Sequence, residues 1–283
     1  MNIYKLFTLI TAMLLVSCGD GKSGKKGPIK LSSTATPPKP GSPSIIAEIN
    51  LELMPIPAGS FSMGSPIQEQ DRQDDEGPQT IVTITKPFWL SNREVTQDQW
   101  EAVMGNNPSI FKGKDLPVEK VSRDDAIAFC KKLNQDLENT LPDGYRYTLP
   151  TEAQWEYACR AKSTTRFYFG DDPEYDQLDK YAWYAGNSMG KTHTVGIKLP
   201  NRWDLYDMHG NVWEWCLDWY GDYTGGAASD PQGSESGDYR VLRGGGWHFD
   251  GLDCRVADRN WAFPNGAFSL LGFRVALSSV PSE

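Results

Sequence analysis

The stretch Leu205–Trp215 reads LYDMHGNVWEW and lies in a half of the chain without helical periodicity. From Phe167 onward the 3.6-residue period disappears, and short strand-like pieces alternate with loops rich in Trp and Gly. Gly210 permits a tight turn within the stretch. So much loop inside a compact domain needs something to hold it in place, and the two candidates are aromatic packing and a bound ion.

Upstream of Phe167 the sequence predicts strands. Alternating apolar residues indicate strands at Ile49–Met54 and Thr80–Ile84. Between them, Pro55–Gly59 is expected to turn the chain into a further extended piece, Ser60–Gly64.

Three helices are predicted where Thr96, Ser122 and Thr151 can act as N-caps. In each segment the apolar residues recur at i, i+3 and i+4, so each helix is expected to bury one stripe and expose the other. Helices and strands together predict a mixed α+β fold. The remaining length suits one large domain over residues 45–283.

The first residues indicate export. Lys5 gives a positive start, and Leu6–Val16 is an apolar run too short to span a bilayer as a permanent helix. The run closes on Leu15-Val16-Ser17-Cys18, which resembles the bacterial lipobox, in which the cysteine is lipidated. Residues 1–18 are therefore expected to be a lipoprotein signal peptide with Cys18 as the anchor, and Gly19 rather than Asp after it favours the outer membrane. The alternative is an ordinary secretory signal, cleaved off together with Cys18.

Residues 19–44 consist mostly of Gly, Ser, Thr, Pro and Lys and are expected to form a disordered tether. The net charge of residues 1–44 is +5, which leaves −14 for the remainder of the chain. A basic arm favours contact with an anionic membrane surface, whereas an acidic domain excludes nucleic acid as a partner. The alternative is that these charges only keep a surface protein soluble.

Several segments, in order along the chain, resemble the formylglycine-generating enzyme or sulfatase-modifying factor family. They are Met54–Phe61 with Met63–Ser65, Glu94–Thr96, Leu149–Tyr157, Leu205–Trp215, Arg243–Trp247 and Gly272–Arg274. The resemblance implies the family fold, a variant of the C-type-lectin fold with little regular secondary structure in a single domain. It does not by itself imply the family's chemistry, because one fold hosts oxidases and plain binding modules.

The family's oxidase chemistry depends on a pair of cysteines soon after the Gly-Gly segment, where two thiolates resemble a copper(I) site. Here Phe249 stands at the place of the first cysteine. Cys254 falls at the second by forward count, but counting back from Gly272 puts it about three residues out of register. One thiolate cannot make the pair, so copper is not expected, and Cys254 is a catalytic candidate only if the chain is an oxidase after all.

The other cysteines of the folded region, Cys130, Cys159 and Cys216, are expected to be buried thiols or disulfide halves. In the family, the counterparts of Cys130 and Cys159 pair with cysteines near the C-terminus. The resemblance makes Cys159 with Cys254 the preferred pairing, provided that the segment around Cys254 is extended.

The resemblance also implies a structural calcium ion. Asp207, the carbonyl groups of Gly210 and Val212, and Glu214 match the positions that surround Ca²⁺ in the family, and this mixture of oxygens suits a hard ion. The alternative is that Asp207 and Glu214 only cap a loop. The histidines are expected to be structural or at the surface; they are His193, His209 and His248.

These features predict a membrane-anchored, extracytoplasmic domain that acts as a non-catalytic binding or assembly module for an unidentified protein or glycan. One alternative is a formylglycine-generating oxidase acting on a sulfatase cysteine. A second is a carbohydrate-binding lectin, although Trp213, Trp215, Trp219 and Trp247 lie in family core motifs.

Replacement of Cys18 by Ala is expected to release the protein into the periplasm as a soluble form, because the attached lipid supplies most of the free energy of membrane binding. Fractionation of cells that express the wild type and the variant measures this. Membrane association that is unchanged in the variant would refute the lipid anchor.

Overall fold

The computed structural model describes residues 27–31 and 38–279. Cys18 and the expected signal peptide lie outside the described residues. Among the described residues, no helix combines the length and apolar character needed to cross a membrane.

Three α-helices and twelve short strands make up the regular structure of the described residues. The helices are α1 (Gln97–Met104), α2 (Arg123–Leu137) and α3 (Glu152–Arg160). The strands are β1 (Ser44–Ile46), β2 (Leu51–Ile56), β3 (Gly59–Met63), β4 (Thr80–Ile84), β5 (Phe88–Ser91), β6 (Arg146–Thr148), β7 (Trp213–Trp219), β8 (Gly226–Ser229), β9 (Arg240–Arg243), β10 (Arg259–Ala262), β11 (Leu271–Gly272) and β12 (Ala276–Ser278).

The strands form three sheets. A five-stranded antiparallel sheet has the order β1-β2-β5-β12-β6 and brings the two ends of the domain together. A four-stranded sheet, β10-β9-β7-β11, contains a parallel β7–β11 pair, and a three-stranded sheet, β3-β4-β8, contains a parallel β4–β8 pair. The expected α+β fold with little helix after Phe167 is confirmed.

All three predicted helix starts are confirmed. The side chains of Thr96, Ser122 and Thr151 each accept a hydrogen bond from the backbone N–H three residues later, which satisfies a donor that the first turn leaves open. Local sequence signals were sufficient to predict these helix starts, because the capping side chain and the N–H group that it binds are only three residues apart.

The prediction of an exposed stripe is wrong for α3, since all nine of its residues are buried. Its acidic side chains point inward because arginines from distant strands meet them. Arg259 Nε lies 2.6 Å from Glu152 Oε1, and Arg243 contacts Glu156.

The turn predicted at Pro55–Gly59 begins later than expected. β2 starts at Leu51 and continues through Pro55 and Ile56, which pair with β5. β1 pairs only with Leu51–Leu53, so beyond Leu53 that side of β2 has no partner in the sheet. Proline is tolerated at such an edge because no ladder hydrogen bond is lost there.

The tether is not disordered throughout, because Gly27–Leu31 docks on the helices. Leu31 is 2% exposed and belongs to the largest core cluster. The N–H of Ile29 donates to the carbonyl of Ala102 at 2.8 Å, and that of Leu31 to Asp136 Oδ2 at 3.2 Å. The composition of the segment did not reveal this contact, because one buried side chain, Leu31, and two backbone hydrogen bonds hold the segment against α1 and α2.

Replacement of Leu31 by Ala is expected to lower the free energy of unfolding by about 2 kcal/mol, because a buried side chain would leave a cavity. The matched control is Ile29→Ala, since Ile29 is 40% exposed and should contribute much less. Urea denaturation measures both variants. An equally small effect of the two substitutions would show that Leu31 is not seated in the core.

Candidate functional site

The segment Leu205–Asn211 is a tight loop fastened to two other loops. Gly210 has a φ of +85°, and a Cβ built on it would lie 2.2 Å from the carbonyl oxygen of Trp183, so only glycine fits. The N–H of Gly210 donates to the Gly244 carbonyl at 2.6 Å, and that of Asn211 to the Trp183 carbonyl at 2.7 Å. The predicted turn at Gly210 is confirmed.

Glu214, at the start of β7, is held by a buried arginine. Arg274 donates from Nε to Oε2 and from Nη2 to Oε1, both at 2.7 Å. Trp155 Nε1 also donates to Oε2 at 2.7 Å. Glu214, Arg274 and Trp155 are each fully buried, so both carboxylate oxygens are already bonded to protein groups.

Two further buried carboxyl groups lie beside this pair. Asp207 Oδ2 accepts from the N–H of Gly196 at 2.5 Å, whereas Oδ1 has no hydrogen-bond partner in the described part of the chain. Burial raises the pKa of Asp207 to about 6. Burial, together with Asp207 and Glu214 nearby, raises the pKa of Glu94 well above its usual range. The group Glu94, Asp207, Glu214 and Arg274 is thus an acid-rich cluster.

Sequence reasoning did not assign a site role to Glu94. Its carboxylate accepts from Asn211 Nδ2 at 2.7 Å and from the N–H of Val212 at 3.1 Å, so it fixes the loop that leads into β7. Glu94 lies in Glu94–Thr96, one of the segments that resemble the family, and this motif was the sequence signal that could have pointed to its role.

Two of the residues expected to bind calcium, Asp207 and Glu214, belong to this cluster. Asp207 and Glu214 lie close enough for each to influence the pKa of Glu94, and the cluster has an excess of acid that a cation would compensate. Glu214, however, is committed to Arg274 and Trp155. Among residues 27–31 and 38–279, no group of three or more His, Cys, Asp or Glu side chains is arranged to hold a metal ion. The carboxylate of Glu214 is thus already bonded to protein groups, and the calcium site expected at Asp207, Gly210, Val212 and Glu214 stays a prediction.

Phe249 and Cys254, the two residues that the sequence comparison placed at or near the family's cysteine positions, are both buried. Phe249 is 4% exposed and meets Trp213 edge to face, with ring centroids 5.4 Å apart. Cys254 is fully buried in a cluster with Phe167, Leu178 and Ala182. Burial raises the pKa of the Cys254 thiol well above its usual range, so the sulfur is a neutral thiol.

The expected Cys159–Cys254 disulfide is not formed. All four cysteines in the described part of the chain are free and buried; they are Cys130, Cys159, Cys216 and Cys254. Cys254 ends a 3₁₀ turn, Gly251–Cys254, so it does not share a strand face with Val256 as an extended segment would require. Its sulfur instead lies against the backbone of Gly245, where an added Cβ would come within 2.7 Å.

Two histidines support loops. His209 stacks on Tyr168 with centroids 4.3 Å apart and accepts from its N–H at 3.3 Å, and burial lowers the pKa of His209 to about 3. His193 stacks on Trp183 at 3.8 Å. Of the tryptophans in family motifs, Trp213, Trp215 and Trp247 are buried, which confirms that they pack the core.

Known proteins share this architecture. Residues 47–279 match the family described as the sulfatase-modifying factor enzyme 1-like domain. The chain is 34% identical over 212 residues to the chaperone protein LppX of Paenibacillus barcinonensis, covering 59% of this chain and 71% of that protein. It is 27% identical over 299 residues to the formylglycine-generating enzyme of Mus musculus, covering 82% and 76%. The solved structure of PvdO from Pseudomonas aeruginosa superposes with a TM-score of 0.75 and 31% identity, covering 85% of this chain and 99% of that one.

If Asp207 and Glu214 ligate a Ca²⁺ ion that binds only the native state, added calcium is expected to raise the melting temperature and a chelator to lower it. The matched control is Asp207→Asn, which keeps the shape of the side chain and should lose the calcium response. Melting curves in calcium and in chelator measure this. Identical curves for the wild type would remove the site.

Proposed function

This chain belongs to the sulfatase-modifying factor family, and from that premise we propose that it is a non-catalytic binding or assembly module carried on the cell envelope. The observation that carries the proposal is the state of the two oxidase positions. Phe249 is an apolar ring packed on Trp213, and Cys254 is a buried, neutral thiol.

The chemistry argues against an oxidase in this form. A copper(I) site of the family type requires two thiolates that hold the ion and present it to the thiol of the substrate. Neither requirement is met by one fully buried sulfur atom surrounded by Phe167, Leu178 and Ala182. Access matters as much as ligand count, because a substrate peptide has to reach the reacting sulfur.

The names of the relatives are compatible with a role of this chain other than oxidation. The name of LppX describes a chaperone, whereas the mouse relative is named for formylglycine generation. One scaffold thus accommodates different activities, and the activity follows from the site. An assembly or folding role for this chain is consistent with retention of the scaffold and loss of the cysteine pair.

The place of action that we propose is the cell envelope, with the protein anchored by lipid at the outer membrane. The support is the lipobox-like Leu15–Cys18 and the basic segment that follows it. With Gly27–Leu31 docked on α1 and α2, few residues separate Cys18 from the docked segment in the sequence. Eight intervening residues reach about 30 Å at most, so an anchored domain would stay close to the membrane.

The carbohydrate-binding alternative loses its sequence support. Trp213, Trp215 and Trp247 are buried and offer no ring face to a sugar, and the ring of Trp219 is covered by Arg240 at 3.4 Å. The formylglycine-generating oxidase remains the alternative that a direct assay decides.

A sulfatase peptide of the Cys-x-Pro-x-Arg type, incubated with the copper-loaded domain and oxygen, is expected to gain no aldehyde. Copper(I) binding should be the same in the wild type and in Cys254→Ala, because the buried thiol is not a ligand. Phe249→Cys alone should not restore activity, since Cys254 remains on a buried turn. The readouts are peptide mass spectrometry and copper(I) competition titration.

A formylglycine-generating enzyme such as the mouse relative serves as the positive control. Peptide oxidation by the wild type, together with tight copper(I) binding that is lost in Cys254→Ala, would overturn the proposal and make the protein an enzyme.

A further inference from the structure

The strand β3 forms one edge of the sheet β3-β4-β8, and its outer side is open. Antiparallel pairing with β4 runs over the whole strand, from Gly59 opposite Ile84 to Met63 opposite Thr80. Apart from this ladder, no hydrogen bond joins the backbone of residues 59–63 to another segment in the described part of the chain. The N–H and C=O groups on the outer side of β3 therefore remain free to pair with a further strand.

Another sheet edge shows how the fold protects such a row of groups. On β6, at the edge of the five-stranded sheet, the side chain of Asn134 donates to the carbonyl of Tyr147 at 2.8 Å and accepts from its N–H at 2.7 Å. Natural edges are also protected by charged side chains or proline within the strand. β3 reads Gly-Ser-Phe-Ser-Met and has neither, so its edge is open to pairing.

A groove follows this open edge. Its volume is about 430 Å³, and residues 57–62 line it in unbroken succession. Tyr157 and Arg160 of α3, together with residues 162–164 after the helix, form the remainder of its wall. Because neighbouring strands of a sheet lie about 4.8 Å apart, a strand added to β3 would occupy this groove.

The groove offers an apolar contact beside the open backbone. Phe61 is half-buried, and its ring lies against that of Tyr157 with centroids 5.3 Å apart. Tyr157 is buried and packs in turn on Trp203 at 5.1 Å, so the support behind Phe61 is fixed. A Cβ built on Gly59 would lie 2.5 Å from the Tyr157 hydroxyl, which shows how closely the ring approaches the strand. The exposed part of Phe61 can therefore contact a side chain of an added strand.

The charge of the groove indicates the class of partner. Its lining contains two cationic side chains and no acidic one, although the chain as a whole is acidic. Arg160 is already paired with Glu156 at 2.8 Å, whereas Lys162 is exposed and forms no ion pair among the described residues. A free ammonium group beside open backbone groups complements a partner that carries carboxylates.

We propose that β3 binds an extended, acidic peptide segment of a partner protein, which joins the sheet β3-β4-β8 as a further strand. Main-chain hydrogen bonds to the open edge supply affinity, and the side-chain contacts supply specificity. Phe61 accepts an apolar side chain, and Lys162 attracts a carboxylate. This inference rests on the binding-module role proposed above and names the partner chemistry for it.

The probe is the blocked peptide acetyl-Val-Asp-Val-Asp-Val-amide, whose valines favour an extended backbone. Isothermal titration of the protein should show binding, and hydrogen exchange followed by mass spectrometry should show slower exchange of the β3 amides when the peptide is bound. A version of the peptide with every backbone nitrogen methylated cannot donate to the sheet. We expect it to bind at least about tenfold more weakly.

The decisive variant is Lys162→Glu, which reverses an exposed charge at the groove and leaves the buried side chains unchanged. We expect the affinity for the peptide to fall about tenfold. The matched control is Lys191→Glu, which makes the same change in net charge at an exposed lysine outside the groove lining. Its affinity should change less than about twofold, because distant exposed charges are screened.

An equal loss in the two variants, or equal binding of the methylated peptide, would overturn the proposal. So would slower exchange of the β3 amides that grows with protein concentration without peptide, since the edge would then pair with a second copy of this chain. The peptide contains no cysteine, so the aldehyde assay tests the binding-module role separately. No aldehyde together with no peptide binding at β3 would refute the partner chemistry and leave the role standing.

Discussion

The buried ion pair between Glu214 and Arg274 is the interaction on which the rest of the structure depends. It joins the start of strand β7 to the segment between β11 and β12, and Trp155 links α3 to the same carboxylate. Removing one partner of such a pair costs about 3–5 kcal/mol, because the other charge is left buried and unpaired. A domain with so many loops can tolerate this buried ion pair because both carboxylate oxygens of Glu214 accept hydrogen bonds.

A second set of buried ion pairs extends from α3. Glu152 and Glu156 face inward and meet Arg259 and Arg243, and Arg259 in turn packs against Tyr220 and Tyr223, which line an open cleft. The buried ionic groups of this protein therefore do more than hold the fold together, since one end of the network lies beside an open surface. The scaffold and this open surface are physically continuous, whereas Phe249 and Cys254 are enclosed by packing.

The sequence allowed the family, the fold class and the three helix caps to be predicted, because each rests on short motifs or on neighbours three residues apart. It could not show that Glu214 is taken by Arg274, which is 60 residues away, so the calcium expectation treated Glu214 as a free ligand. The Cys159–Cys254 pairing failed for a similar reason, since it assumed an extended segment where the chain forms a 3₁₀ turn. Leu31 was hidden in a polar segment whose composition indicates a tether.

The claim that this member of the family has closed its oxidase site is tested most directly by the reactivity of Cys254. Alkylation of the native protein at neutral pH, mapped by mass spectrometry, should leave Cys254 unmodified until denaturant is added, because the thiol is neutral and shielded by Phe167 and Leu178. Modification of Cys254 in the native protein at the rate seen in the unfolded chain would contradict this account.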